Sequence, residues 1–232
     1  ATGGLNAINV GNSAGGGVTT NALGLVNLYG PSGYQLVIKS VASAADVLVT
    51  AALDVTVDGT VSSAGHVEFD VAGLLSLTAN SRIDSTANAV DVNTSFGSLP
   101  ANSRLSMAAI SRISGATGVK LVTGGAATLA NLLAANGNIT VTAGGAIGVL
   151  ANEQLTASAG GASLNGASLA MAAGSQVAAL LDIDVVTTGD AFATTLASTR
   201  GHVSVNAGGN ATVTTASIAD AVLGDIVYLE LP

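Results

Sequence analysis

The feature that most constrains this chain is a pattern that returns in register. Four stretches align without gaps: "GHVEFDVAGLLSLTANSRI" from Gly65, "TGVKLVTGGAATLANLL" from Thr117, "GNITVTAGGAIGVLANEQL" from Gly137 and "GHVSVNAGGNATVTTASI" from Gly201. Each places an apolar residue at Val67, Val119, Ile139 or Val203, and a second one two positions on at Phe69, Leu121, Val141 or Val205. A glycine then arrives at Gly73, Gly125, Gly145 or Gly209, followed by Leu77, Leu129, Val149 or Val213. Self-similarity at a short period marks a repeat architecture, in which one unit cannot cover its own apolar face and must stack on the next.

Within a unit the apolar residues alternate. In "LDVTVDG" Leu53, Val55 and Val57 point one way and Asp54, Thr56 and Asp58 the other, while Glu68, Asp70 and Asp91 fall on the wet side of their own runs. Short alternating runs bounded by Gly or Ala-Asn predict two or three strands per unit. The expected fold is all-β, a right-handed parallel β-helix (solenoid) with irregular coils of about 16–22 residues. Leu155 reads as the start of a near-copy 16 residues after Ile139, and "ANSR" at 79–82 and again at 101–104 sets a shift of 22. On that reading Arg82 and Arg104 stack and need an acidic neighbour or solvent between them. Gly73, Gly125, Gly145, Gly209, Asn80, Asn102, Asn131 and Asn152 are the expected corners, because Gly and Asn tolerate the backbone angles of tight turns. "AATLANLLAANG" and "ASLAMAAGSQVAALLDI" have helical propensity, but the repeat runs through them and they read as β. An antiparallel sandwich is the competing arrangement. Residues 1–232 form one β-helical domain on this reading, with 1–50 less regular and serving as capping or connecting coils.

The composition agrees with a slender aliphatic interior: 49% hydrophobic residues but only 3% aromatic and 9% charged. With net charge −8 and six basic residues, the chain lacks the basic face that nucleic acid requires. The absence of cysteine excludes disulfides and thiolate chemistry. No run reaches the length of a membrane span. The chain opens on Ala1 and reads as a processed product or a piece of something longer.

The unit G-x-[IV]-x-[VF]-x-A-G-G, present as "GNITVTAGG" and "GHVSVNAGG", resembles the haemagglutinin-type repeats of filamentous haemagglutinin-like exoproteins, the large adhesins exported by two-partner secretion. The resemblance covers residues 50 to 232. It implies a right-handed β-helical shaft, secreted or displayed at a bacterial cell surface. The Asn-Pro-Asn motifs of that family's amino-terminal secretion domain are absent, which makes this shaft rather than secretion signal.

Candidate chemistry is sparse. His66 and His202 occupy the same slot of the repeat, just past a corner, and read as exposed corner residues. The densest carboxylates are in "LLDIDVVTTGD", where Asp182 and Asp184 share a strand face and Asp190 follows the next turn. Paired carboxylates serve glycoside hydrolysis or Ca²⁺ binding, so these three are the candidates for a glycan or calcium site, against the plainer reading of a solvated strand face. No cofactor is expected. The function expected is a non-catalytic structural shaft segment of an adhesin. The alternatives are a subunit of an extracellular filament or sheath joined by coil-end pairing, and a glycan-binding or polysaccharide-active β-helix. Expected partners are further β-helical chain or like subunits end to end, and a host or surface glycan or protein receptor.

Overall fold

A computed structural model of the chain describes the backbone of Ile8–Asn9, residues 17–30, 35–95 and 103–220, and residues 227–230. The described residues are all-β, with no helix among them. Every strand pairing is parallel, and the strands form two sheets of eleven and fifteen strands. The described residues form a parallel β-helix of about nine turns. The eleven-stranded sheet is one face of the coil. The fifteen-stranded sheet splits into two ladders, the second and third faces, which long strands such as Val55–Ser63 and Ala191–Ser198 join near either end.

The columns follow from the alternation. On the first face Val67, Val90, Val119, Ile139, Ala162, Ile183 and Val203 lie one above another, and Phe69, Val92, Leu121, Val141, Leu164, Val185 and Val205 form the next inward column. All are essentially inaccessible to solvent. Leu77, Met107, Leu129, Val149 and Met171 continue the column on the second face. All four aligned stretches therefore occupy equivalent positions. The two Ala-rich segments are strands, at Ala127–Leu129 with Asn131–Ala134 and at Ser168–Met171 with Gln176–Ala179. Their neighbours in the stack present ladders that only extended chain can join.

The coil step is 20 residues from Val119 to Ile139, 23 from Ile139 to Ala162 and 29 from Val90 to Val119. Leu155 does not open a short coil. It lies on the third face, between Leu132 and Val177. Nor do Arg82 and Arg104 stack. Arg104 sits beside Leu74 on the second face, whereas Arg82 lies under Arg112 on the third. The acidic neighbour is Asp84, whose Oδ1 accepts from Arg112 Nη2 at 3.0 Å and Nε at 3.3 Å. Leu53 is at a corner and exposed, so the inward run there starts at Val55.

Two places vary the step. Ten residues join Ala89–Asn93 to Arg104–Met107 where two join Val67–Val71 to Leu74–Leu77, which accounts for the 29-residue step. The junction of the second and third faces varies as well. In four coils it is a four-residue turn, closed by N–H to C=O bonds from Ser81 to Thr78, Ser111 to Ala108, Glu153 to Leu150 and Ser175 to Ala172. The third residue of that turn has positive φ and is Asn80, Ile110, Asn152 or Gly174. The intervening coil omits the turn and crosses through buried Ala130. Asn131 is therefore the first residue of a strand rather than a corner. Its side chain still works along the stack, since Gln154 N–H donates to Asn131 Oδ1 at 3.1 Å.

Candidate functional site

A winding that leaves its ladder at a corner exposes backbone N–H and C=O groups that need partners. The chain meets that need with side chains from the preceding coil. Asp46 Oδ1 accepts from His66 N–H at 2.7 Å, Asp54 Oδ1 from Leu74 N–H at 2.8 Å, Asp182 Oδ1 from His202 N–H at 2.9 Å and Asp190 Oδ1 from Asn210 N–H at 2.8 Å. In all four the donor is twenty positions after the acceptor. The residue just before each donor is a glycine: Gly65, Gly73, Gly201 or Gly209. A Cβ on any of these would overlap the capping carboxylate oxygen. Asn138 plays the same part with an amide, its Oδ1 accepting from Gly161 N–H at 2.8 Å.

Hydroxyls complete the corners. Ser43 Oγ donates to Gly24 O and Ser198 Oγ to Leu181 O, each reaching the preceding coil, and Ser63 and Ser85 do the same with Ala45 O and Gly65 O. At the other corner buried Thr123 and Thr187 donate to Gly125 O and Gly189 O.

Gly73, Gly125, Gly145 and Gly209 all lie in bends between the first and second faces, and Asn80 and Asn152 in the turns described above. Asn102 lies outside the described residues. Asp182 and Asp184 come together at the corner where the third face meets the first, and His202 of the next coil sits against both. Its Nδ1 is 3.0 Å from Asp182 Oδ1 and its Nε2 3.1 Å from Asp184 Oδ1. A shallow groove of about 250 Å³ runs beside them, lined by Asn138, Thr140, Ser163, Leu181, Asp182 and Asp184 among others. Asp190 is not part of it. It stands at the opposite end of the strand Ile183–Thr187, occupied with Asn210.

A second acidic groove, about 220 Å³, is lined by Glu68, Asp70, Asp91, Asn93 and Lys120 among others, with His66 Nε2 3.5 Å from Asp91 Oδ2. Among the described residues no group of three or more His, Asp or Glu side chains is arranged to hold a metal ion. The Asp58 carboxyl is held below the ordinary carboxylate range, because it accepts hydrogen bonds from Lys39 Nζ and Thr78 Oγ1 and feels the lysine charge. Chemically, the corner at Asp182 offers outward-facing oxygen acceptors around an imidazole.

Glu153 was not singled out by the sequence. It is 5% exposed and occupies the slot that Ser81, Ser111 and Ser175 fill in the other turns. Its Oε1 spans the coil that lacks a turn and accepts from Ile110 N–H at 2.7 Å. The short coil leaves a gap that only a longer side chain bridges. The chain matches no protein-family profile, no curated protein sequence and no solved structure.

Proposed function

We propose that this chain is a structural rod, a shaft segment of a large secreted or surface-displayed bacterial adhesin of the haemagglutinin-repeat kind, and that its work is reach and presentation rather than catalysis. The observation that supports this most is the use made of its acids. Asp46, Asp54, Asp182 and Asp190 each bind the backbone of the next coil, so carboxylates that could have carried chemistry stiffen the stack. The repeat unit behind the resemblance makes physical sense in the same terms. In "GNITVTAGG" Ile139, Val141 and Ala143 face inward and Gly144 and Gly145 turn the corner.

The reading includes end-to-end association with further coils of the same kind, because the outermost strands of any parallel stack carry unpaired backbone groups that another winding satisfies. Electron microscopy of the purified chain tests the reading. Separate rods about 50 Å long, from eleven strands at roughly 4.8 Å each, are expected for a shaft segment. Uniform long fibres would favour a self-assembling filament subunit instead, and compact particles would defeat both.

A glycan-binding reading draws on the groove beside Asp182 and Asp184, whose oxygens suit sugar hydroxyls. The double change Asp182→Asn and Asp184→Asn keeps the inter-coil cap, because Asn138 makes the same bond with an amide. Unchanged retention on a glycan array after that double change would end the idea.

A further inference from the structure

Three dipeptides in this sequence are chemically prone to backbone rearrangement through attack by a glycine nitrogen: Asp58-Gly59, Asn136-Gly137 and Asn165-Gly166. We infer that the fold shields two of them and leaves Asn136-Gly137 as a site of spontaneous deamidation, a covalent modification of one corner of the rod.

The chemistry needs the glycine N–H and the side-chain carbonyl carbon of the preceding residue to meet. Hydroxide takes the proton from Gly137 N, the nitrogen bonds to Cγ of Asn136, and the Cγ–Nδ2 bond breaks. Ammonia leaves, taking its third proton from water, and a cyclic imide remains. Water then opens either imide C–N bond, leaving aspartate or isoaspartate in place of Asn136. To reach the imide the backbone must rotate between the two residues.

Such rotation is opposed in a strand. Asn165 lies in Ala162–Gly166, laddered to Thr142 on one side and Val186 on the other. Asp58 lies in Val55–Ser63, and its carboxylate is held by Lys39 and Thr78. Asn136 and Gly137 are in the bend between Asn131–Ala134 and Ile139–Ala143, outside either strand though Asn136 N–H bonds to the preceding coil, and Asn136 is exposed. The glycine brings no side chain to shield its nitrogen.

The product bears on the stack. It puts a new carboxylate two residues from Asn138, whose amide caps Gly161. The isoaspartate form also lengthens the backbone in a corner where Asn136 N–H donates to Ala116 O at 2.7 Å.

The test incubates the whole chain at mildly alkaline pH and follows the three peptides by mass spectrometry, with enzymatic methylation of isoaspartate as the second readout. Conversion at Asn136 is expected to exceed that at Asn165 by about tenfold, the factor that about 1.4 kcal/mol of ladder opening supplies. In denaturant the two asparagines should react at similar rates, and Asn136→Gln should remove the main native product. Gly137→Ala is a poor control, since a Cβ there would overlap Thr117 O. Equal conversion of Asn136 and Asn165 in the native chain would overturn the inference. So would a native Asn136 that stays intact while the unfolded chain reacts.

Discussion

The contact between Asp54 and Gly73 turns the stacking of windings into a measurable coupling. Leu74 N–H donates to Asp54 Oδ1 at 2.8 Å, and that oxygen fills the volume a Cβ on residue 73 would need. The other nearest atoms, Asp54 N and the Leu53 carbonyl carbon, are at 3.1 Å and tolerable. Gly73 does not have a positive φ, so alanine can adopt its backbone. Gly73→Ala therefore displaces the carboxylate and breaks a bond to a charged acceptor, a loss of about 1.5–3 kcal/mol, with the low end apt for an exposed site. Restricting the unfolded chain offsets about 0.4–1 kcal/mol of that, leaving a net cost of about 1 kcal/mol. Asp54→Ala loses the same bond without the offset, about 1.5 kcal/mol. In the double variant the bond is lost only once and the overlap has no partner. Its cost should be about 1 kcal/mol rather than the sum of about 2.5, a coupling of about 1.5 kcal/mol. Urea unfolding at neutral pH, with midpoints compared at constant slope, reads all three variants. Additivity within about 0.5 kcal/mol would mean that these residues do not touch, and the inter-coil cap would be wrong.

Other expectations follow from single side chains. Ile110 is a β-branched, 59% exposed residue at φ 59°, in a slot that Asn80, Asn152 and Gly174 fill elsewhere. Ile110→Asn should raise stability by about 1 kcal/mol by relieving left-handed strain, and an unchanged or lower urea midpoint would contradict this. Glu153→Ala should cost about 1–3 kcal/mol because Ile110 N–H loses its acceptor in a shielded place. Glu153→Gln, which retains a carbonyl oxygen, should cost clearly less. If the two are equally harmful, the bond to Ile110 is not what Glu153 supplies. For Asp58 the folded carboxyl titrates below its unfolded value, first because of the hydrogen bond from Lys39. Its contribution is thus complete above the ordinary carboxylate range and lost as pH falls through the lower folded value. Lys39→Met should be less stable than the parent at neutral pH, and the difference should close in acid. A gap that persists at low pH would refute the assignment.

The aliphatic columns were legible because alternation and stacking leave the same trace in sequence and in space. Val67, Val119, Ile139 and Val203 align by eye and stack in fact. Glycines such as Gly73 and Gly209 were also found, though for half of the reason. They turn a corner, and they also leave room for a carboxylate from the coil before. That second role has a signal, since Asp46, Asp54, Asp182 and Asp190 each precede a glycine by one fixed interval. Reading Asp182, Asp184 and Asp190 as one cluster hid it, and the fold separates Asp190 from the other two. The misreadings at Leu155, Asn131 and the paired "ANSR" have separate causes. Leu155 belongs to a third-face strand that alternates like the first face, and Asn131 follows a junction that lacks the turn. The ten residues between Asn93 and Arg104 put the second "ANSR" on a different face from the first. Ile110 had a local signal that went unread, since "LSMAAISRI" at 105–113 matches "LSLTANSRI" at 75–83 with Ile110 in the place of Asn80. Its conformation is held by the Ser111 to Ala108 bond and by Glu153 two coils away.

Distances between spin labels on one outward column test the central claim most directly, and the chain has no cysteine of its own to interfere. Thr50 and Thr142 are four inter-strand steps apart along that column, and Thr50 and Asn206 seven. At roughly 4.8 Å per step, backbone separations of about 19 and 34 Å are expected, growing in proportion to the number of coils crossed. A Thr50 to Asn206 distance no longer than that from Thr50 to Thr142 would mean that the windings do not lie one upon another.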